Sequence, residues 1–141
     1  MVSEKKLKRE ISTLIPYKRN GDEIYVFLQR RDANAKLLPD FFGFFGGGIE
    51  SGETPEMAML RETKEELDYE PYEYRFFNQY EFLTSINNVF IIEVDDTFED
   101  KIEVREGRYG KFLSKEEVDS EKMLSDPDKQ VLKELFKELH A

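Results

Sequence analysis

The sequence predicts an α/β fold in which a mixed β-sheet lies between layers of helices. Short segments rich in aromatic and β-branched residues, which are typical of strands, occur on both sides of one central helical segment. A second long helical segment follows the last of these strands. The expected architecture is therefore an α/β/α sandwich.

Strands and helices follow one another in a mixed order. Asn20-Gly21 and Asn87-Asn88 are expected to form the turns of two strand pairs. In chain order, we expect strands at residues 11–17 and 23–29, an extended segment at 41–45, a helix at 55–67, strands at 72–84 and 89–94, a short strand at 109–113, a helical turn at 114–117 and a helix at 127–139.

The last helix is amphipathic, because its apolar residues recur at helical spacing and so share one face. That face is expected to cover the sheet. It carries Val131, Leu132, Leu135, Phe136 and Leu139.

The central helix begins at a strong start signal and carries a cluster of glutamates. Thr54 is expected to cap it, with Pro55 at its first position. At the helical angle of about 100° per residue, its acidic side chains share one arc of roughly 100°. Leu60 and Leu67 lie opposite, flanked by Met57 and Thr63. The acidic side chains are those of Glu62, Glu65 and Glu66.

Clustered carboxylates repel one another at this spacing, by a few tenths of a kcal/mol per pair. A hard divalent cation would remove the repulsion, and Mg²⁺ prefers oxygen ligands. The alternative is a solvated acidic helix face. The glycines that precede the helix, Gly46, Gly47 and Gly48, favour a ligand site, because glycine loops before helices often approach phosphate.

The segment from Gly47 to Glu66 reads GGIESGETPEMAMLRETKEE and fits the pattern Gly-x5-Glu-x7-Arg-Glu-x-x-Glu-Glu. It resembles the Nudix box, the motif of hydrolases that cleave a diphosphate linkage in nucleotide derivatives. The resemblance implies the Nudix three-layer fold and a requirement for Mg²⁺, with Mn²⁺ as a possible replacement. The strand pairs on either side of the motif occur in the order usual for the family.

The resemblance also implies roles for individual residues. The three helix glutamates would hold the metal together with the backbone carbonyl of Gly46. Glu53 would hold the loop or orient a catalytic group, and Arg61 would pair with a carboxylate. Glu106, in the segment Glu106-Gly107-x-x-Gly110-x-aromatic, would bind metal or act as the base, with Glu103 as the nearby alternative.

Substrate binding is expected at the three glycines and at Asp128. MutT-type members present a base-reading polar side chain at the position of Asp128, although this residue could instead cap the last helix. The motif departs from the usual pattern at its end, where Asp68 replaces a capping glycine and predicts a different helix exit. Thr63 and Tyr69 also differ from the family's usual residues.

Composition excludes several other chemistries. The chain has no cysteine, and its one histidine, His140, is expected to be a solvated tail residue, so thiolate catalysis, a Ser-His-Asp triad and a histidine metal site are all disfavoured. The net charge of −10 disfavours nonspecific binding to nucleic acid or to acidic lipid. We expect no membrane segment, and residues 1–10 lack the apolar core of a signal peptide.

We therefore expect residues 1–141 to form a single cytoplasmic Nudix domain, as a monomer or a homodimer, that acts on a small nucleotide. A MutT-like nucleoside triphosphate pyrophosphohydrolase is the favoured activity. The alternatives are a hydrolase of nucleoside diphosphates linked to a sugar or another group, and a nucleotide-binding Nudix module without catalysis.

Overall fold

The computed structural model describes residues 8–140, which form one mixed sheet with helices on both faces. The segment expected to lack a signal-peptide core lies largely outside this range. The strands are β1 (Arg9–Asn20), β2 (Glu23–Arg30), β3 (Phe42–Gly43), β4 (Phe45–Gly48), β5 (Tyr74–Glu81), β6 (Ser85–Glu93) and β7 (Tyr109–Ser114). The helices are α1 (Pro55–Leu67), α2 (Lys115–Ser120) and α3 (Asp126–Leu139), with a 3₁₀ turn at Phe98–Lys101.

Strand β1 is the centre of the sheet. It pairs antiparallel with β2 at one end, antiparallel with β4 at the other, and parallel with β6 along its length. β5 continues the sheet beyond β6, while β3 and β7 pair with β2. The β1–β6 register sets Ile11 beside Asn87 and Ser12 beside Asn88. This pairing brings segments about 75 residues apart to the same end of the sheet.

Alternation along β1 directs its side chains to two separate cores. Leu14 packs with Met59 of α1, whereas Ile15 belongs to the cluster that contains Leu132 and Leu135 of α3. Each helix thus covers one face of the sheet. The predicted α/β/α sandwich is confirmed, as is the apolar face predicted for α3.

Two predictions about loops are wrong. Asn87 and Asn88 do not form a turn, because they lie inside β6 and are each only 3% exposed. The chain reverses between Phe82 and Ser85 instead, where the Phe82 N–H donates to the Ser85 carbonyl at 2.8 Å. The glycines 46–48 are not a loop either, since they form most of β4.

Helix α1 starts as predicted, with the Thr54 hydroxyl accepting from the Met57 N–H at 3.1 Å. Its end differs from the prediction. Asp68 takes the left-handed conformation, with φ of 50°, so the helix leaves its last turn as it would through a glycine. Met57 does not flank the core, because it is 52% exposed. Within residues 8–140, helices long and apolar enough to cross a membrane are absent.

Candidate active site

Strand β4 runs between β1 and the acidic side chains of α1, and two of its glycines leave room for close contacts on either side. Gly46 has φ of 140°, and a Cβ there would lie 2.2 Å from the Ser12 carbonyl oxygen. A Cβ on Gly47 would lie 2.6 Å from Oε1 of Glu62. The absence of side chains therefore lets the carboxylates of α1 come directly against the strand backbone.

Glu66 is a buried carboxylate, only 3% exposed, on the inner side of α1. Its Oε1 accepts a hydrogen bond from the Gly46 N–H at 3.0 Å. Burial raises the pKa of Glu66 well above its usual range, and the neighbouring carboxylates of Glu62 and Glu106 raise it further, against the opposing effect of the Gly46 N–H. Negative charge from two elements that are far apart in sequence therefore converges on this group.

Arg61 joins α1 to the loop that precedes it. Its Nε and Nη2 donate to the two carboxylate oxygens of Glu53 at 2.8 and 3.0 Å. Nη2 also donates to the Gly48 carbonyl at 3.0 Å, and Nη1 to Oε1 of Glu62 at 2.9 Å. The hydrogen bond with Arg61 lowers the pKa of Glu53, which also accepts from the Glu50 N–H. The expected pairing of Arg61 with a carboxylate is present.

The three helix glutamates do not share one environment. The side chain of Glu62 is 15% exposed and that of Glu65 is 60% exposed, and both are within 3.6 Å of Arg61. The third glutamate, Glu66, is the buried one. In the arrangement seen across residues 8–140, no three acidic side chains close around one point as metal ligands. Their donor chemistry nevertheless fits a hard cation, because the charges of Glu62 and Glu106 both act on Glu66 and all three side chains offer only oxygen.

The segment that carries Glu106 is tied to the site by its backbone. The Arg105 N–H donates to the Glu66 carbonyl at 2.7 Å, and the Glu106 carbonyl accepts from Nε2 of the buried Gln29 at 2.8 Å. Glu106 raises the pKa of Glu66 through its charge, and it also borders the adjacent cavity. The alternative residue, Glu103, is 69% exposed and pairs with Arg105.

A cavity of about 360 Å³ lies on the α3 side of β4. Three residues at the border of this cavity also lie next to the carboxylates of α1. Gly46 is hydrogen-bonded to Glu66, Gly47 lies beside Glu62, and the charge of Glu106 acts on Glu66. Apolar side chains, including Phe44 and Phe82, form part of its wall. The glycine strand is therefore a thin partition between this cavity and the acidic cluster.

Asp128 lines the cavity from the first turn of α3. Ser125 is the residue that caps this helix, since its hydroxyl accepts from the Asp128 N–H at 3.3 Å. The cap therefore does not require the Asp128 carboxylate. Burial raises the pKa of Asp128 to about 6, although the Ser125 hydroxyl and the charge of Arg31 oppose the shift.

Several cavity residues were not identified from the sequence. Arg9 and Arg31 bring positive charge to the cavity, and Arg9 lies beside Gly48, where a Cβ would be 3.4 Å from its Nη2. Thr13 and Asn87 line the wall from β1 and β6. No motif marks these residues, because the pairing of β1 with β6 is what brings them together.

Comparison with known proteins agrees with this fold. The NUDIX domain profile matches residues 8–135, and the chain belongs to the NUDIX family, as predicted from its motif. The chain is similar in sequence to MutT-type members of this family. The 8-oxo-dGTP diphosphatase of Escherichia coli K12 is 40% identical over 57 residues, which is 40% of this chain and 43% of that protein.

A second relative is the dihydroneopterin triphosphate diphosphatase of Escherichia coli K12. It is 36% identical over 66 residues, which is 47% of this chain and 41% of that protein. The matched region therefore spans less than half the length of either curated relative.

Solved structures extend the likeness of fold to nearly the whole chain. A MutT structure from a study of the Aliivibrio salmonicida and Vibrio cholerae proteins has a TM-score of 0.73 at 22% identity, covering 93% of this chain and 98% of the other. The NUDIX domain of Shewanella oneidensis NrtR, in complex with ADP ribose, has a TM-score of 0.74 at 14% identity, covering 94% and 88%.

Proposed function

We propose that the chain hydrolyses a diphosphate linkage in a nucleoside triphosphate and releases the nucleoside monophosphate and pyrophosphate. One observation carries the proposal. The buried Glu66 carboxylate is hydrogen-bonded to the same glycine strand that borders a 360 Å³ cavity. A nucleoside bound in the cavity would therefore have its phosphates close to the acidic cluster. The glycines of β4 have no side chains that would keep the phosphates away from these carboxylates.

Mg²⁺, or Mn²⁺ in its place, is the proposed cofactor. Its ligands would come from the carboxylates of Glu62, Glu65 and Glu66 and the carbonyl of Gly46, which would leave Glu106 to act as the base. When bound, it would supply charge neutralisation on the phosphate oxygens and a lowered pKa for water. NUDIX membership and the convergence of the charges of Glu62 and Glu106 on the buried Glu66 support this proposal.

The protein's own groups have complementary tasks in this proposal. Arg61 and Glu53 fix the position of Glu62 and of the strand end at Gly48. Arg9, beside Gly48, would contact phosphate oxygens. Glu106 would accept the proton of the attacking water at its carboxylate while the water oxygen forms a bond to phosphorus, and the bridging P–O bond breaks as pyrophosphate leaves.

The base would occupy the cavity, with Asp128 as its hydrogen-bond acceptor and Phe44 and Phe82 as apolar walls. The named substrates of the two curated relatives, 8-oxo-dGTP and dihydroneopterin triphosphate, both carry an amino group next to a ring N–H. An ionised carboxylate can accept from both donors at once. We therefore infer a substrate with such an edge, bound by a single domain that requires neither nucleic acid nor a membrane.

A substrate screen tests the proposal. The wild-type protein is incubated with nucleoside triphosphates, nucleotide sugars, ADP-ribose and dinucleoside polyphosphates, with Mg²⁺ and with Mn²⁺, and the products are separated by anion exchange. We expect a monophosphate and pyrophosphate from a triphosphate. Glu66→Gln should lower kcat by about 100-fold or more.

The matched control is Glu70→Gln, an exposed glutamate paired with Lys64 outside the acidic cluster, which should retain activity. Release of a sugar phosphate from a nucleotide sugar alone would replace the triphosphate assignment. Turnover of nothing in the panel would identify a binding module instead of an enzyme.

A further inference from the structure

Asn87 is a buried amide with one end used and one end free. It is 3% exposed, and its Oδ1 accepts from the Thr13 hydroxyl at 2.9 Å. Among residues 8–140, Nδ2 of Asn87 has no hydrogen-bond acceptor. Because Asn87 lines the 360 Å³ cavity, that N–H pair is available to a molecule bound there.

The next residue shows what a structural asparagine looks like in the same strand. Nδ2 of Asn88 donates to the Ile11 carbonyl at 3.1 Å, and its Oδ1 accepts from Gln79 at 2.9 Å. Asn88 is as buried as Asn87, but both ends of its amide are satisfied. The free end of Asn87 is therefore a property of its position at the cavity and not of asparagines in this strand.

Nδ2 of Asn87 is open to the cavity and not sealed in the core, since among residues 8–140 the buried side-chain nitrogen without a partner is Nε of Arg30. Val89 and Ile91 follow Asn87 on the same face of β6, and an apolar residue at position 87 would continue their pattern. The structure instead places an amide there and fixes its orientation with the Thr13 hydroxyl. Such an arrangement presents a donor of fixed orientation to a molecule bound in the cavity.

We propose that Asn87 is a specificity-determining residue, which donates from Nδ2 to a carbonyl oxygen of the substrate base. This inference rests on the proposed function, because it assumes that the cavity holds a nucleobase. Asp128, which also lines the cavity, supplies an acceptor to the base. A donor and an acceptor together select a base that presents a carbonyl and an N–H, as guanine does, over one that lacks the carbonyl.

The test compares two purines with and without a carbonyl at C6. Guanine has that carbonyl and a hydrogen on N1, whereas 2-aminopurine has neither and keeps the 2-amino group, so the contribution of Asn87 is read from the change that its replacement makes in the preference between them. The Kd values of their deoxynucleoside triphosphates are measured by calorimetry in EDTA, which prevents turnover, and kcat/KM is measured with Mg²⁺. We expect the wild-type protein to prefer dGTP. Asn87→Leu should weaken the affinity for dGTP by about 10- to 100-fold and change the affinity for the 2-aminopurine analogue by less than about 3-fold.

A second variant reverses the hydrogen bond without changing the size of the side chain. Asn87→Asp replaces the donor with an acceptor, so it should narrow the preference for dGTP over the 2,6-diaminopurine nucleotide, which has an amino group at C6. Asn78→Asp is the matched control, since Asn78 is exposed on β5 and outside the cavity. It should leave both preferences unchanged.

The results separate this inference from the proposed function. If Asn87→Leu changes the ratio of the two Kd values in EDTA, while the wild-type protein hydrolyses neither nucleotide with Mg²⁺, the inference is supported and the enzyme assignment is rejected. Equal losses for both purines in Asn87→Leu, with activity retained, would reject the inference and keep the enzyme. A wild-type protein with no preference between the two purines, or with no affinity for either, would also reject the inference.

Discussion

Arg61 holds Glu53 through two parallel hydrogen bonds, from Nε to Oε2 at 2.8 Å and from Nη2 to Oε1 at 3.0 Å. Both side chains are largely withdrawn from solvent, with exposed fractions of 24% and 14%. The same guanidinium contacts Glu62 and the Gly48 carbonyl. A planar group with several fixed donors can serve all these acceptors at once, which an ammonium group cannot.

Arg61→Lys should therefore keep the charge and lose the geometry. Displacement of Glu62 and of the β4 end by a fraction of an ångström should lower kcat by about 10- to 100-fold, with a smaller effect on KM. Steady-state kinetics and a thermal melt measure the two effects. Arg105→Lys is the control, because Arg105 is exposed and pairs with Asp68 and Glu103. Full activity in Arg61→Lys would mean that the several hydrogen bonds of the guanidinium are not needed for catalysis.

The helix that carries this arginine was predictable because its signals are local. Thr54 and Pro55 mark its start, and the spacing of its glutamates is fixed by the helical repeat. The burial of Glu66 was not predictable in the same way. It depends on the strand that lies against the helix, and the glycines of that strand suggested a loop.

The pair Asn87-Asn88 shows the same limit. Two adjacent asparagines are a strong local turn signal, yet both amides are buried in β6 because their partners come from distant segments. The Thr13 hydroxyl of β1 donates to Oδ1 of Asn87, and the Ile11 carbonyl accepts from Nδ2 of Asn88. A single sequence does not reveal that register, so the local signal gave the wrong answer and concealed a cavity residue.

Divalent cations should stabilise the folded protein. In the native state the charges of Glu62 and Glu106 both act on Glu66. A cation bound there but not to the unfolded chain should raise Tm in proportion to the logarithm of its concentration. Melts with and without millimolar Mg²⁺ measure the shift. Glu66→Gln should lose most of it and Glu106→Gln part of it. The same shift in both variants as in wild type would place the cation elsewhere.

Asp128→Asn should make the protein more stable at neutral pH. The pKa of Asp128 in the native state is raised from 3.8 to about 6, so between these values the native state holds a proton that the unfolded chain has lost. The unfolding free energy therefore falls as pH rises through this window, and the cost is complete by about pH 7. The variant removes that cost, which is on the order of 1 to 3 kcal/mol.

Urea unfolding of wild type and Asp128→Asn at pH 5, 6, 7 and 8 measures this difference. The gain in unfolding free energy should grow from pH 5 to about pH 7 and then stay constant. Asp126→Asn is the control, because Asp126 is exposed in the same helical turn. A gain that does not vary with pH would show that Asp128 does not titrate in this window.

Gly107→Ala should disturb the Glu106 segment specifically. Gly107 has φ of 82°, and an added Cβ would lie 2.6 Å from the Arg30 carbonyl oxygen and 2.8 Å from Cγ of Gln29. Gly52 has a similar φ of 84° with nothing within 4 Å of the added atom, so Gly52→Ala isolates the cost of the backbone conformation alone.

The two variants are compared in a thermal melt and in kcat. Both should lower Tm, because alanine disfavours positive φ, and Gly107→Ala should lower it further. Only Gly107→Ala should also reduce kcat, since the segment must shift away from β2 and the Gln29 side chain can no longer hold the Glu106 carbonyl at 2.8 Å. Equal Tm and equal kcat in the two variants would mean that the segment moves without cost and that its contact with Gln29 does not position Glu106.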